Sequence, residues 1–318
     1  MRVPQTTRRA FLSAAAAALA SPAVAQAFPQ RQIQLIVPFA PGGGTEIVAR
    51  HYAMAATRLG VSMQVVPLAG AGGARGTRQV AQATPDGYTL LLGTMGSNVT
   101  TPMLNDVGFQ PDSFDPIALV GAPSFIFAVN AQSAIRTMAD LVTAAKRSQL
   151  SYGSAGAGSS THVALEIFSR RVGIELLHVP FNGSAEALTA VLGGHVDMAL
   201  PTTGSGLPPI RSGHIRGIGI TADTRSAEAA DIPTVKETGV DFVFYNWRGI
   251  LAPKGTPQPV RALLTDLSRR IVEDPEFAAQ STRAEGEPPI FRDAETFARQ
   301  IAQEVAEQRD VTASMRRR

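Results

Sequence analysis

The 318 residues are 44% apolar and 17% charged with no cysteine, which describes a packed globule and excludes a disulfide framework, a thiolate zinc site and a cysteine nucleophile. An isoelectric point of 9.6 suggests polyanion binding, yet Arg2, Arg8, Arg9, Arg316, Arg317 and Arg318 stand at the chain ends, and without these six the formal charge falls from +3 to about −3. No basic stripe remains to follow phosphates, so nucleic acid is not an expected partner.

In chain order, Thr7-Arg8-Arg9-Ala10-Phe11-Leu12 precedes a small apolar run from Ala14 to Ala20 and the small-x-small site Ala23-Val24-Ala25. Together they read as a twin-arginine export signal over residues 1–25, cut after Ala25, with Ala27 the second candidate. The run is far shorter than the roughly 20 residues of a membrane span, and no later stretch is long enough. The mature chain is therefore expected in the periplasm, unanchored.

The rest alternates between strand and helix periodicities. A strand over 33–38, a helix over 45–59, a strand over 63–66, a glycine turn over 70–73, a helix to residue 83 and a strand over 88–92 form one βαβαβ unit. A second alternation follows: an extended pair at 151–152, a helix over 161–171, a strand over 175–179, a helix over 185–192 and a strand over 196–200. The extended runs 124–130 and 215–222 are expected to carry the chain across and back, as a double hinge. Helices over 257–272, 275–283 and 294–309 end the chain. The fold class expected is α/β, with two lobes that each hold a mostly parallel sheet flanked by helices. Lobe 1 takes residues 26–123 plus 223–318, lobe 2 takes 124–222, and a ligand cleft lies between them.

Two glycine-rich loops carry the chemistry. Pro41-Gly42-Gly43-Gly44-Thr45-Glu46 joins a strand to a helix, where backbone N–H groups at an electropositive helix start can hold an anion. It could equally be a tight turn with Thr45 as N-cap and Glu46 favouring the helix dipole. The same design recurs before the second lobe's first helix, in Ser154-Ala155-Gly156-Ala157-Gly158-Ser159-Ser160-Thr161, which supplies backbone donors and hydroxyls. One such loop per lobe suits an anion in a cleft beyond the carboxyl ends of the strands. Thr94 and Ser97, in Gly93-Thr94-Met95-Gly96-Ser97-Asn98, and Asn182 and Gly183, in Phe181-Asn182-Gly183-Ser184, also follow predicted strands and are candidates for the same cleft.

Enzyme signatures are missing. No G-x-S-x-G elbow surrounds Ser97, Ser154, Ser159, Ser184 or Ser205, and the loops lack Walker and dinucleotide spacing. His51, His162, His178, His195 and His214 have no metal-ligand spacing. His162, at a helix start, is expected to cap or sit at the surface, and Trp247 to pack in the core or hinge. No metal or cofactor is expected.

Several ordered motifs resemble one family. They are Ile36-Val37-Pro38-Phe39-Ala40-Pro41-Gly42-Gly43-Gly44-Thr45, Gly70-Ala71-Gly72-Gly73, Pro85-Asp86-Gly87-Tyr88-Thr89-Leu90-Leu91 and Tyr152-Gly153-Ser154-Ala155-Gly156. Further on stand His178-Val179-Pro180-Phe181, Gly193-Gly194-His195-Val196-Asp197, Ile232-Pro233-Thr234-Val235 and Trp247-Arg248-Gly249-Ile250-Leu251-Ala252-Pro253. This set, spread over nearly the whole mature chain, resembles the Bug-type solute-binding receptors of tripartite tricarboxylate transporters. The resemblance implies a two-lobed, type II-like periplasmic binding protein, monomeric and without catalysis, that closes on a small carboxylate and delivers it to a two-subunit membrane permease. It also implies that Phe39, Ala40, Gly42, Gly43, Thr45 and Glu46 grip the carboxylate together with Ser154, Gly158, Ser159 and Thr161, partly through water. Three departures bear on specificity: Glu46 replaces the family's usual Asp, Pro67-Leu68 its Glu-Asn, and Phe181-Asn182-Gly183 its Tyr-Lys-Gly. The last removes a lysine. A sensory role beside a signalling partner fits the same residues, and an envelope enzyme on a binding-protein scaffold is the remaining alternative.

Overall fold

The computed structural model describes residues 28–316, so the export signal and its cleavage site lie outside the described residues. Strand β1 (Ile33–Val37) buries every residue except Gln34, as a strand covered on both faces does. Helix α1 (Gly44–Arg58) turns Val48, Ala49, Tyr52, Ala53 and Ala56 inward. With β2 (Met63–Pro67), α2 (Ala74–Ala81) and β3 (Thr89–Gly93) they complete the expected βαβαβ unit. In this unit β1 pairs in parallel with both neighbours, Ile33 opposite Met63 and Leu35 opposite Leu90. A π-helical turn (Gly96–Thr100), α3 (Thr101–Leu104) and β4 (Phe114–Gly121) follow, none of them foreshadowed by periodicity.

The next stretch builds β5 (Ile126–Asn130), α4 (Met138–Arg147), β6 (Leu150–Ser154), α5 (Ser160–Val172), β7 (Leu176–Pro180), α6 (Ser184–Leu192), β8 (Met198–Ala199), α7 (Thr203–Arg211) and β9 (Ile215–Ile220). Local chemistry sets the ends. Thr137 and Asp140 form a capping box before α4, and Gly173 stops α5 in the left-handed region at φ 66°. Helix α7 is missing from the sequence periodicity because Pro208 and Pro209 interrupt it. The chain then runs through β10 (Arg248–Pro253), α8 (Gln258–Val272), α9 (Pro275–Glu285), β11 (Arg292–Asp293), α10 (Ala294–Glu307) and α11 (Arg309–Met315). Asp274 and Asp293 cap α9 and α10 through their carboxylates.

Two sheets result, in the orders β11-β4-β10-β3-β1-β2 and β7-β6-β8-β5-β9. The α/β architecture is as expected, with the sheets mixed rather than mostly parallel: β10 lies antiparallel between β3 and β4, and β5 antiparallel between β8 and β9. The reason is topological. Both β5 and β10 enter their sheet from the other one, so the helical crossover that makes neighbours parallel does not apply.

The segments joining the sheets run side by side. Within the second sheet β5 and β9 pair from Ile126 opposite Ile220 to Asn130 opposite Ile215. Before the strands begin, Ser124 bridges to Tyr245, and the Asn246 N–H donates to the Pro123 carbonyl at 2.8 Å. One buried core takes residues from both sheets, Ile36 and Leu91 from the first and Phe127 and Tyr152 from the second. Its aromatic centre includes the tilted pair Phe127 and Phe168 at 4.7 Å and the stacked pair Phe125 and Phe244 at 6.1 Å. No helix among the described residues is long and apolar enough to cross a membrane.

Candidate functional site

Loops from both sheets meet around a cavity of about 30 Å³, room for little more than a water molecule. The start of α1 forms one wall. Its N-cap is Gly43, with φ −82° and ψ 158°, and no side chain caps the helix. Thr45, weighed above as the N-cap, is instead the second helical residue. The leading amides of α1 therefore keep their donors at the positive end of a 15-residue helix. Glu46 turns back: its carboxylate accepts the Gly42 N–H at 3.3 Å and pairs with Arg50.

The opposite wall is the loop before α5, and its donors are arranged differently. The Ala155 N–H is taken by Thr161 Oγ1 at 3.0 Å, that of Gly156 by Ser154 Oγ at 3.1 Å and that of Gly158 by His162 Nδ1 at 3.0 Å. Ser159 caps α5 by accepting the His162 N–H at 3.4 Å. Ser159, Ser160 and Thr161 all line the cavity; the Ser159 and Thr161 hydroxyls lie 3.1 Å apart, while Ser160 Oγ accepts the Gly96 N–H at 2.8 Å and donates to Asn246 Oδ1 at 2.7 Å. Side chains within and just after the loop thus hold three of its amides, those of Ala155, Gly156 and Gly158.

His162 neither caps the helix nor sits at the surface. It stacks on His178 with ring centroids 3.9 Å apart and planes 7° from parallel, and Tyr152 packs on both rings, 5.0 Å from His178 and 6.3 Å from His162. Burial and the neighbouring His178 hold the His162 pKa down to about 3, and burial holds that of His178 at about 4. Both rings are neutral at pH 7, which leaves His162 Nδ1 an acceptor for the Gly158 amide. His178 Nε2 shares a 2.6 Å hydrogen bond with Ser154 Oγ.

Contact between the walls is close. At Gly72, with φ +63°, a Cβ would stand 2.0 Å from the Ala157 carbonyl oxygen, and at Gly96 one would stand 2.3 Å from the Ser160 nitrogen. Only glycine allows these approaches. Thr100 Oγ1 donates to the Gly158 carbonyl at 2.6 Å, and on the far side the Ala40 N–H donates to the Asn182 carbonyl at 3.3 Å.

Of the predicted residues, Phe39, Gly43, Thr45, Glu46, Ser159 and Thr161 line the cavity. Ala40, Gly42, Asn182 and Gly183 meet beside it, Gly42 against Ala185 and Gly183 against Ala40. Thr94 and Ser97 are buried away from the wall, each accepting the other's amide at 3.1–3.2 Å. Ser154 is fully buried on His178, and Gly158, at φ +81°, is wedged against Thr101. Sequence reasoning missed Phe125, Ala155, Ser160, Ser184, Thr202, Asn246 and Arg248, which complete the lining. Ala155, Ser160 and Ser184 sit inside the quoted motifs, and Thr202-Thr203-Gly204-Ser205 repeats the small polar pattern after a predicted strand. Arg248 stands in the quoted Trp247–Pro253 motif, though nothing there marks it as a cavity residue, and Asn246 gives no signal. Between them Trp247 packs as expected, 1% exposed, edge-on to Phe297 and donating to Glu304.

The family model for the tripartite tricarboxylate transporter family receptor matches residues 48–315. A UPF0065 protein of Bordetella pertussis is 35% identical over 263 residues, 81% of either chain. Among solved structures, the periplasmic binding protein BugD is 30% identical with a TM-score of 0.83, covering 90% of this chain and 98% of its own. MatC from Rhodopseudomonas palustris, solved with bound malate, is 28% identical at the same TM-score, with 90% and 100% covered. This chain belongs to the receptor family of tripartite tricarboxylate transporters, the Bug-type periplasmic binding proteins, which are solute receptors and not enzymes.

Proposed function

We propose that the protein is an exported, monomeric receptor that captures a small carboxylate between lobe 1 (residues 26–123 plus 223–318) and lobe 2 (residues 124–222) and hands it to a two-subunit membrane permease. The observation that carries this reading is the uncapped start of α1 facing the hydroxyls of Ser159 and Thr161 across one cavity. Amide donors at a helix start suit an anionic oxygen, and hydroxyls can donate to its partner or to a bridging water. The malate in the related MatC supports the ligand class.

The cavity is smaller than any dicarboxylate, so the ligand enters only when the walls part. The paired crossing segments around Ser124 and Asn246 are the hinge for that motion. Closure on the ligand then follows from differential binding, because only the closed form brings both walls to the same carboxylate. Export rests on the twin-arginine segment Thr7–Leu12 with cleavage after Ala25, which places the receptor in the periplasm.

A thermal-shift screen of refolded protein against mono-, di- and tricarboxylates and neutral amides of the same length tests the reading. A ligand selective for the native form raises Tm. Carboxylates should raise it and their amides should not; equal shifts, or a response to amides alone, would remove the anion site.

A further inference from the structure

Arg248 begins β10 and lines the cavity while only 2% exposed. Its Nη2 donates to both carboxylate oxygens of Glu285, at 3.2 and 3.0 Å. Nη1 makes one long contact of 3.4 Å with the Asn246 carbonyl, and the Nε–H is buried with no acceptor. A guanidinium has five donors and no way to shed its charge. Here the set is partly engaged in a place that water does not reach.

Stability alone gives no reason for this arrangement. A buried arginine–glutamate pair is often replaceable by apolar side chains without loss, whereas an unsatisfied buried donor carries its full desolvation penalty. The pair also abuts the first wall: a Cβ on Gly44 would stand 2.7 Å from Glu285 Oε1 and 2.9 Å from Thr202 Oγ1. Glu285 is therefore held between the start of α1 and Arg248. It neutralises the guanidinium and fixes its orientation, yet it engages Nη2 alone. The helix-start amides and the loop hydroxyls suffice for one carboxylate, and Arg248, which lines the same cavity with donors to spare, suits another.

We infer that Arg248, positioned by Glu285, is the specificity residue of the cleft and binds a second carboxylate of the ligand. The inference rests on the reading of the cavity as a carboxylate site. Backbone amides and hydroxyls accept any acid, so discrimination falls to Arg248, the one cationic side chain among the described residues that line the cavity. Loss of the lysine usual at Asn182 fits the same division, because the cleft then draws its positive charge from β10.

Calorimetric titration of the refolded chain at pH 7.5 tests this with matched pairs, succinate against butyrate and adipate against hexanoate. At least one dicarboxylate should bind about 30-fold or more tighter than its monocarboxylate, the range of a charge-assisted hydrogen-bonding pair. Arg248→Met should lower that affinity by about 30-fold while moving the monocarboxylate by less than about threefold. Arg248→Lys, which keeps the charge without the fork, should fall between. Glu285→Gln should lower the preference partway, since the guanidinium then loses the carboxylate that orients it. Monocarboxylates binding as tightly as dicarboxylates, or Arg248→Met and Arg248→Lys weakening both acids equally, would overturn the inference and leave the carboxylate site standing. Wild-type protein binding neither class would overturn both.

Discussion

The two glycine-rich loops look alike in the sequence and do opposite things in the fold. In the first, Gly43 caps α1 with nothing but backbone, no side chain takes the leading amides, and Gly43 and Thr45 line the cavity. In the second, Thr161, Ser154 and His162 take the amides of Ala155, Gly156 and Gly158, and the Ser159 and Thr161 hydroxyls line the cavity. A glycine-rich strand-to-helix loop is thus not by itself an anion cradle. What decides is whether neighbouring side chains reach its donors before a ligand does.

The sharpest way to break this comparison is at Gly43. Its φ is ordinary for any residue, so a side chain there adds bulk without backbone strain, and its Cβ would stand 3.0 Å from Ser184 Oγ at the cavity wall. Gly43→Leu should reduce carboxylate affinity by more than about 100-fold, about 2.7 kcal/mol, with Tm little changed. Calorimetry and a melting curve on the same sample check both halves. If Gly43→Leu bound normally, the first loop would not be the grip.

Ser159→Ala acts on the other loop, where one hydroxyl both caps α5 and faces the cavity. It should cost about 1 kcal/mol of stability through the lost cap and weaken binding by roughly fivefold to tenfold. A loss of stability with unchanged affinity would confine the second loop to a structural role.

The smallest effect is on pH dependence. The folded-state pKa values of about 3 for His162 and about 4 for His178 lie below their ordinary value of 6.5. The unfolded chain therefore takes up protons below about pH 6.5 while the folded chain does not, and the stability these rings contribute is lost as pH falls from there towards 4. Glu287 works in the opposite sense: burial raises its carboxyl to about 7, so the folded form holds a proton that the unfolded form releases above about 4.5. The two overlap, and a difference separates them. Tm of the His162→Gln, His178→Gln protein should fall less between pH 6.5 and 4 than that of the parent. Parallel curves would show that the stacked rings do not prop the loop.

Much of the fold is legible in the chain because its signals are local. Ile33–Val37 reads as a buried strand from its own residues, and Asp274 before Pro275 marks the start of the helix expected over 275–283. The elements that escape are those whose reasons lie elsewhere. Helix α7 holds despite Pro208 and Pro209 because its start is packed against α9, where a Cβ on Gly204 would stand 2.3 Å from the Ala284 carbonyl carbon. The site divides the same way. Gly43 and Ser159 are found from loop patterns, whereas Arg248 comes to the cavity through a strand returning from the other sheet, and Glu285 reaches it from 37 residues further on. The roles of His162 and His178 were equally hidden, since stacking joins two motifs 16 positions apart.

The most direct test follows backbone amides by 15N–1H NMR while refolded protein is titrated with malate, or with the acid giving the largest thermal shift. Amides of Gly43, Gly44 and Thr45 should show the largest downfield shifts, with those of Ala155, Gly156 and Gly158 moving little because their acceptors are already in place. The reverse pattern, or saturation with no response at residues 43–45, would contradict the account.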